Sequence, residues 1–164
     1  MALALKDTDL EAVYSSPLSR ALETAQAIAS HHSLDVIVSR ELREIDVGEF
    51  EGKTLASLTH DFSAFLLEWK GGEGKKKLPD GESLQDVHDR VWPFAHELVT
   101  RHKGNVVIAS HYFVILIIIA AALELPLANL NRIRVQPASI SILDFSGDSP
   151  YLELLSDTCH LKEG

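Results

Sequence analysis

Apolar positions change their period several times along the chain, and each change marks an element. Ala12-Val13-Tyr14 is a short apolar run that stops at Ser15-Ser16-Pro17, and from Leu18 onward Leu22, Ala25, Ile28 and Ala29 recur at helical spacing. The pattern predicts strand, turn and helix. The helix should run to about His31, and Pro17 suits its first turn, where a fixed φ and a missing N–H cost nothing. Asp35-Val36-Ile37-Val38 is a second strand candidate, followed by an irregular stretch through Gly48 and Gly52 and a helix over about 55–69. Gly71-Gly72-Glu73-Gly74-Lys75-Lys76-Lys77 then breaks the pattern with glycines and like charges, as an exposed loop does.

Ser83 with Asp86 three residues on resembles a capping box, and Leu84, Val87, Val91, Phe94, Ala95 and Val99 keep a helical period up to about Lys103-Gly104. Val106-Val107-Ile108-Ala109 lacks alternation, the mark of a strand buried on both faces of a sheet. The apolar run over 112–123 has 12 residues. A membrane-spanning helix needs about 20, so this is a buried crossover helix. Residues 133–145 and 151–155 alternate as two strands joined by Gly147-Asp148-Ser149-Pro150. Strands alternating with helices predict an α/β fold, a three-layer α/β/α sandwich with a mostly parallel sheet and one antiparallel C-terminal edge.

The length of 164 residues suits one domain over 1–164, and 46% hydrophobic with 24% charged residues excludes disordered and fibrous classes. Fifteen Lys and Arg against 24 Asp and Glu give a net charge of -9, which repels a phosphate backbone and an anionic membrane surface. Nucleic acid and membranes are therefore not expected partners. The single cysteine, Cys159, has no internal disulfide partner, and no signal-peptide pattern opens the chain, so a cytoplasmic location is expected. Eight histidines fall into no zinc spacing, and GxGxxG, GxxxxGK[ST] and GxSxG are absent. No metal or cofactor is expected.

Ligands of open α/β sheets bind beyond the carboxyl ends of the strands, which singles out three segments. Ser15-Ser16-Pro17-Leu18-Ser19-Arg20-Ala21 places Arg20 in the first turn of a helix, where a guanidinium fork and backbone N–H groups can grip an anion together. Its plain alternative is a solvated surface charge. Leu42-Arg43-Glu44-Ile45-Asp46-Val47-Gly48-Glu49-Phe50-Glu51-Gly52 offers four acids, one of which can serve as a general acid if its surroundings keep it protonated; the alternative is an acidic surface loop. Val106-Val107-Ile108-Ala109-Ser110-His111 runs an apolar strand straight into a histidine that can bind a phosphoryl oxygen or move protons. A core histidine satisfied by backbone groups is the alternative there.

In this order, and with Thr24-Ala25 and Pro79-Asp80-Gly81-Glu82-Ser83-Leu84, these segments resemble the histidine phosphatase superfamily, which contains phosphoglycerate mutases and α-ribazole phosphatases. The resemblance covers nearly the whole chain and implies a phosphoglycerate mutase-like fold. It implies Arg20 as a ligand of the transferred phosphoryl group, Glu44 as the acid, and His111 as the second active-site histidine. The substrate class it implies is a small phosphorylated molecule or phosphate ion, with a small phosphatase such as an α-ribazole phosphatase favoured over a mutase by the short loop over 70–77.

Two departures shape the expectations. The family's first central strand ends in an Arg-His-Gly motif whose histidine becomes phosphorylated, and no Arg-His-Gly occurs in this sequence. Met1-Ala2-Leu3-Ala4-Leu5 resembles the end of the helix that follows that motif, so the resemblance implies an N-terminally truncated domain without its nucleophile. Tyr112-Phe113 also follows His111 where the family usually has glycine. The reading is a phosphoglycerate mutase-like histidine phosphatase, and its alternative is a non-catalytic phosphate-binding or regulatory module. A missing central strand would leave unpaired sheet edges, and a homodimer through sheet complementation is the expected response.

Overall fold

The structure is a computed structural model that describes residues 1–52 and 72–161. The helix expected over 55–69 lies outside the described residues. Among those described, the chain runs α1 (Ala2–Leu5), β1 (Leu10–Ser15), α2 (Ser19–His32), β2 (Val36–Val38), α3 (Leu84–Arg101), β3 (Asn105–Ala109), α4 (Tyr112–Ala122), β4 (Ile140–Asp144) and β5 (Tyr151–Asp157). Strands β1, β2 and β3 form a parallel sheet in the order β2-β1-β3, while β4 and β5 pair antiparallel in a sheet of their own.

Alternation along β1 divides the core into two layers, because successive side chains of a strand point to opposite faces. Val13 joins Ala25, Ile28 and Ala29 of α2 and Ala109 on one face. Tyr14 joins Leu42, Val87 and Val91 of α3 and Leu116 and Ile117 of α4 on the other. Helices on both faces of a mostly parallel sheet make the three-layer sandwich that the sequence predicts. Helix α4 buries seven residues, among them Val114, Leu116 and Ile117, so it keeps no polar face.

Helix boundaries follow local chemistry. Ser83 caps α3 through a reciprocal box: its Oγ accepts the Asp86 N–H at 3.0 Å, and the Asp86 carboxylate accepts the Ser83 N–H at 2.8 Å. A cap of this kind is worth about 1 kcal/mol. At the other end, Glu11 accepts the N–H groups of Lys103 and Gly104 and the ring of His102, whose Nε2 meets Tyr14 Oη at 2.9 Å. This fastens the end of α3 to the start of β1. Helix α2 begins at Ser19 with Leu18 as its cap residue, so Pro17 stands just outside the helix, not in its first turn.

Two further expectations change. Residues 133–139 are not strand: a 3-10 turn spans Leu127–Arg132, Pro137 has no N–H to pair, and Ala138 takes φ +54°. Their apolar alternation reports contact with the core, where Val135 is buried, and not sheet pairing. Strand β3 is buried only at Ala109, with Val106, Val107 and Ile108 half-buried. Its pairing explains this, because among the described residues β3 is hydrogen-bonded to β1 on one side and to no strand on the other.

Candidate active site

Parallel neighbours end on the same side of a sheet, so β1 and β3 deliver their following residues to one place. Ser15 lies opposite Ala109, and the Ser16 N–H continues the ladder onto the Ala109 carbonyl at 3.0 Å. Beyond that rung the chain turns into α2, carrying exposed Arg20 in its first turn, and into α4, which His111 precedes as cap residue. Ser16 Oγ and His111 Nε2 lie 2.8 Å apart in the interior, and Ser110 Oγ donates to the Leu42 carbonyl at 2.8 Å, drawing the segment after β2 toward the same end.

Glu44 arrives on that segment. Its carboxylate accepts the Ile45 N–H at 2.9 Å, and the backbone N–H groups of Tyr112 and Phe113 act on it, which sets it at the positive start of α4. Burial pushes its carboxyl above the usual range, opposed by those N–H groups and by the Arg20 charge. His111 is pushed down to about 4, first by burial and then by the Arg20 guanidinium. The Arg20 charge thus bears on both groups. At neutral pH the arrangement offers a permanent cation, a neutral imidazole and a carboxyl whose pKa burial raises.

A second set of residues holds the Glu44 segment in place, through contacts that no local spacing discloses. Arg90 of α3 forks onto Glu82, Nε to Oε1 at 2.8 Å and Nη2 to Oε2 at 2.9 Å, and also donates to the carbonyls of Glu41 and Glu44. Glu82 Oε2 accepts the Asp46 N–H at 2.9 Å. Two turns clasp each other here: the Glu82 N–H meets the Asp46 carbonyl at 2.9 Å and the Glu49 N–H meets the Pro79 carbonyl at 3.1 Å. The segment Pro79-Asp80-Gly81-Glu82-Ser83-Leu84 therefore caps α3 and grips the loop that bears Glu44. Its signal was in the sequence as a motif, without a partner to explain it. Tyr112 is exposed and its ring meets edge-on, at 5.1 Å, that of Phe113, which packs against the core.

The described residues contain no helix long and apolar enough to cross a membrane and no group of three or more potential metal ligands. Comparison with known proteins gives a consistent result. The profile of the histidine phosphatase superfamily (branch 1) matches residues 1–158. Putative phosphoserine phosphatase 2 of Hydrogenobacter thermophilus is 29% identical over 154 residues, covering 94% of this chain and 76% of that protein. A mycobacterial glucosyl-3-phosphoglycerate phosphatase solved with inorganic phosphate superposes with a TM-score of 0.83 at 28% identity, over 96% of this chain and 81% of that one. The α-ribazole phosphatase of Shigella flexneri superposes with a TM-score of 0.82 at 27% identity, over 95% of this chain and 78% of that one.

Proposed function

This chain belongs to the histidine phosphatase superfamily, and from that premise we propose that it binds the phosphoryl group of a small phosphomonoester at the ends of β1 and β3. Arg20 and His111 hold the phosphoryl oxygens, and Glu44 donates a proton to the leaving oxygen. The observation that carries the reading is the Ser16–His111 contact at the ends of β1 and β3, with the Arg20 charge bearing on both His111 and Glu44 and burial raising the Glu44 pKa. Arginine and an N–H donor suit the charge that spreads over the equatorial oxygens during phosphoryl transfer. The relatives named above act on phosphoserine, glucosyl-3-phosphoglycerate and α-ribazole phosphates by their names, which supports a small phosphorylated metabolite as the class. The alternative of a purely regulatory module finds no support among them. A metabolite of this kind and a single cysteine fit a cytoplasmic setting.

No Arg-His-Gly occurs in the sequence, so covalent catalysis has no matching residue within these 164. The polypeptide incubated with an aryl phosphate is expected to show no acid-labile phosphohistidine by mass spectrometry. A stoichiometric adduct would overturn this division of roles.

The protonation states set a pH dependence. His111 loses its proton near pH 4, so it stays neutral through the ordinary histidine range around pH 6.5 and adds no charge for phosphate there. Glu44, raised by burial, repels phosphate only once it ionises, so affinity should strengthen as pH falls through its pKa. Phosphate titrations from pH 5 to 8 should accordingly show no step that disappears in His111→Gln. Such a step would mean that the imidazole works as a cation.

The unpaired edges extend the proposal to assembly. Val106 and Ile108 of β3 and Leu143 and Leu152 of β4 and β5 pack on one core cluster, yet among the described residues no hydrogen-bonded ladder joins the two sheets. An edge of this kind recruits a strand, so two copies complementing each other's sheets are expected. Sedimentation at low and physiological salt should find a dimer at both, because charges more than about 8 Å apart are largely screened at the latter. A compact monomer at both would rule out complementation.

A further inference from the structure

We propose that Ser16 is a positioning residue whose hydroxyl donates to Nε2 of His111 and so keeps the single proton of the neutral ring on Nδ1. The argument is a count of protons around one buried oxygen. A serine hydroxyl has one proton to give and two lone pairs to fill. Ser16 is fully buried, which denies its hydroxyl bulk water. Among the described residues its Oγ lies within bonding distance of two groups, the Leu18 N–H at 3.3 Å and His111 Nε2 at 2.8 Å. The amide can only donate. Were Nε2 to donate as well, two donors would meet on Oγ and the hydroxyl proton would be left without an acceptor, a cost that buried groups rarely carry. The satisfied arrangement has Leu18 giving to Oγ and Oγ giving to Nε2.

The consequence is directional. Nδ1–H becomes the only ring donor that His111 can offer an anion, and it is offered by a neutral ring. The charged group that bears on this ring is Arg20 on α2, and it cannot accept in place of the serine at Nε2. Burial and the Arg20 charge hold the proton affinity of His111 low, so the ring stays neutral and the serine meets a single-proton imidazole. Ser16 is fixed in turn by its place one residue past β1, where its N–H bonds the Ala109 carbonyl and its carbonyl accepts the Ser15 hydroxyl at 2.8 Å. The strand ladder that joins β1 to β3 therefore also sets which ring nitrogen holds the proton.

The tautomer needs no substrate to be observed. The phosphate arm of the test rests on the function proposed above; the spectroscopic arm does not. Long-range 1H–15N correlation spectra of histidine-labelled protein at neutral pH, with His111 assigned by its loss in His111→Gln, should show Nε2 unprotonated and Nδ1 protonated. Ser16→Thr should keep that pattern, and Ser16→Ala should move the population toward the Nε2–H form that neutral histidine prefers in water. Phosphate affinity should fall about fivefold in Ser16→Ala, the worth of one ordinary hydrogen bond, and stay within about twofold in Ser16→Thr. A wild-type spectrum with the proton on Nε2 would overturn the proposal without any variant having to fold. An unchanged tautomer in folded Ser16→Ala would overturn it too. A correct tautomer with unchanged phosphate affinity in Ser16→Ala would remove the positioning role, whereas a wild type that binds no phosphate would count against the site itself.

Discussion

Gly48→Ala is expected to destabilise the protein by about 3–5 kcal/mol, far more than Gly52→Ala. Gly48 has φ +53°, and a Cβ built on it would lie 2.0 Å from the Pro79 carbonyl oxygen and 2.6 Å from the Asp80 carbonyl carbon. Both are backbone atoms of the opposing turn, so no side chain can swing aside. The turn at 46–49 would have to lift off the turn at 79–81, losing the Glu49 to Pro79 and Glu82 to Asp46 hydrogen bonds and loosening Arg90 from the Glu44 carbonyl. Gly52 is the control: its φ of +71° also disfavours a side chain, but among the described residues nothing lies within 4 Å of its Cβ position. Gly52→Ala should cost only about 1 kcal/mol, the backbone share. Denaturant midpoints at constant slope separate the two. Equal losses would show that the clasp contributes nothing.

The same clasp shows what a sequence can and cannot disclose. The strand ends were legible because an apolar run that stops at Ser-Ser-Pro or Ser-His states where the sheet stops and polar chemistry starts. Arg20 and His111 stand out as candidates at those positions, each beside a plain alternative, and the resemblance gives them their roles. Glu44 was one of four acids in its window, and only the resemblance singled it out; the structure adds why it differs, since it is the one that reaches the start of α4 and is partly withdrawn from water. Asp46 instead caps its own turn, accepting the Gly48 N–H at 2.9 Å. Contacts such as Ser16 with His111 join residues 95 apart and leave no local periodicity. The half-burial of β3 was not legible either, because an apolar strand reads the same whether it has one paired neighbour or two.

The larger effect on function is expected at Arg20. Its side chain is exposed, so removing it should leave stability within about 0.5 kcal/mol. Binding is another matter, because it is the permanent cation that bears on His111 and Glu44 alike. Charge-assisted hydrogen bonds contribute about 1.5–3 kcal/mol each, so losing the fork should weaken phosphate by roughly a hundredfold. Arg20→Lys keeps a charge without the planar fork and should recover only part of this, leaving about a tenfold loss. Calorimetric titration of inorganic phosphate into wild type, Arg20→Ala and Arg20→Lys at one pH and one salt concentration tests the phosphate site most directly. Wild type should bind tightest, Arg20→Lys about tenfold and Arg20→Ala about a hundredfold more weakly; equal affinities for wild type and Arg20→Ala would contradict the phosphate site proposed at the ends of β1 and β3.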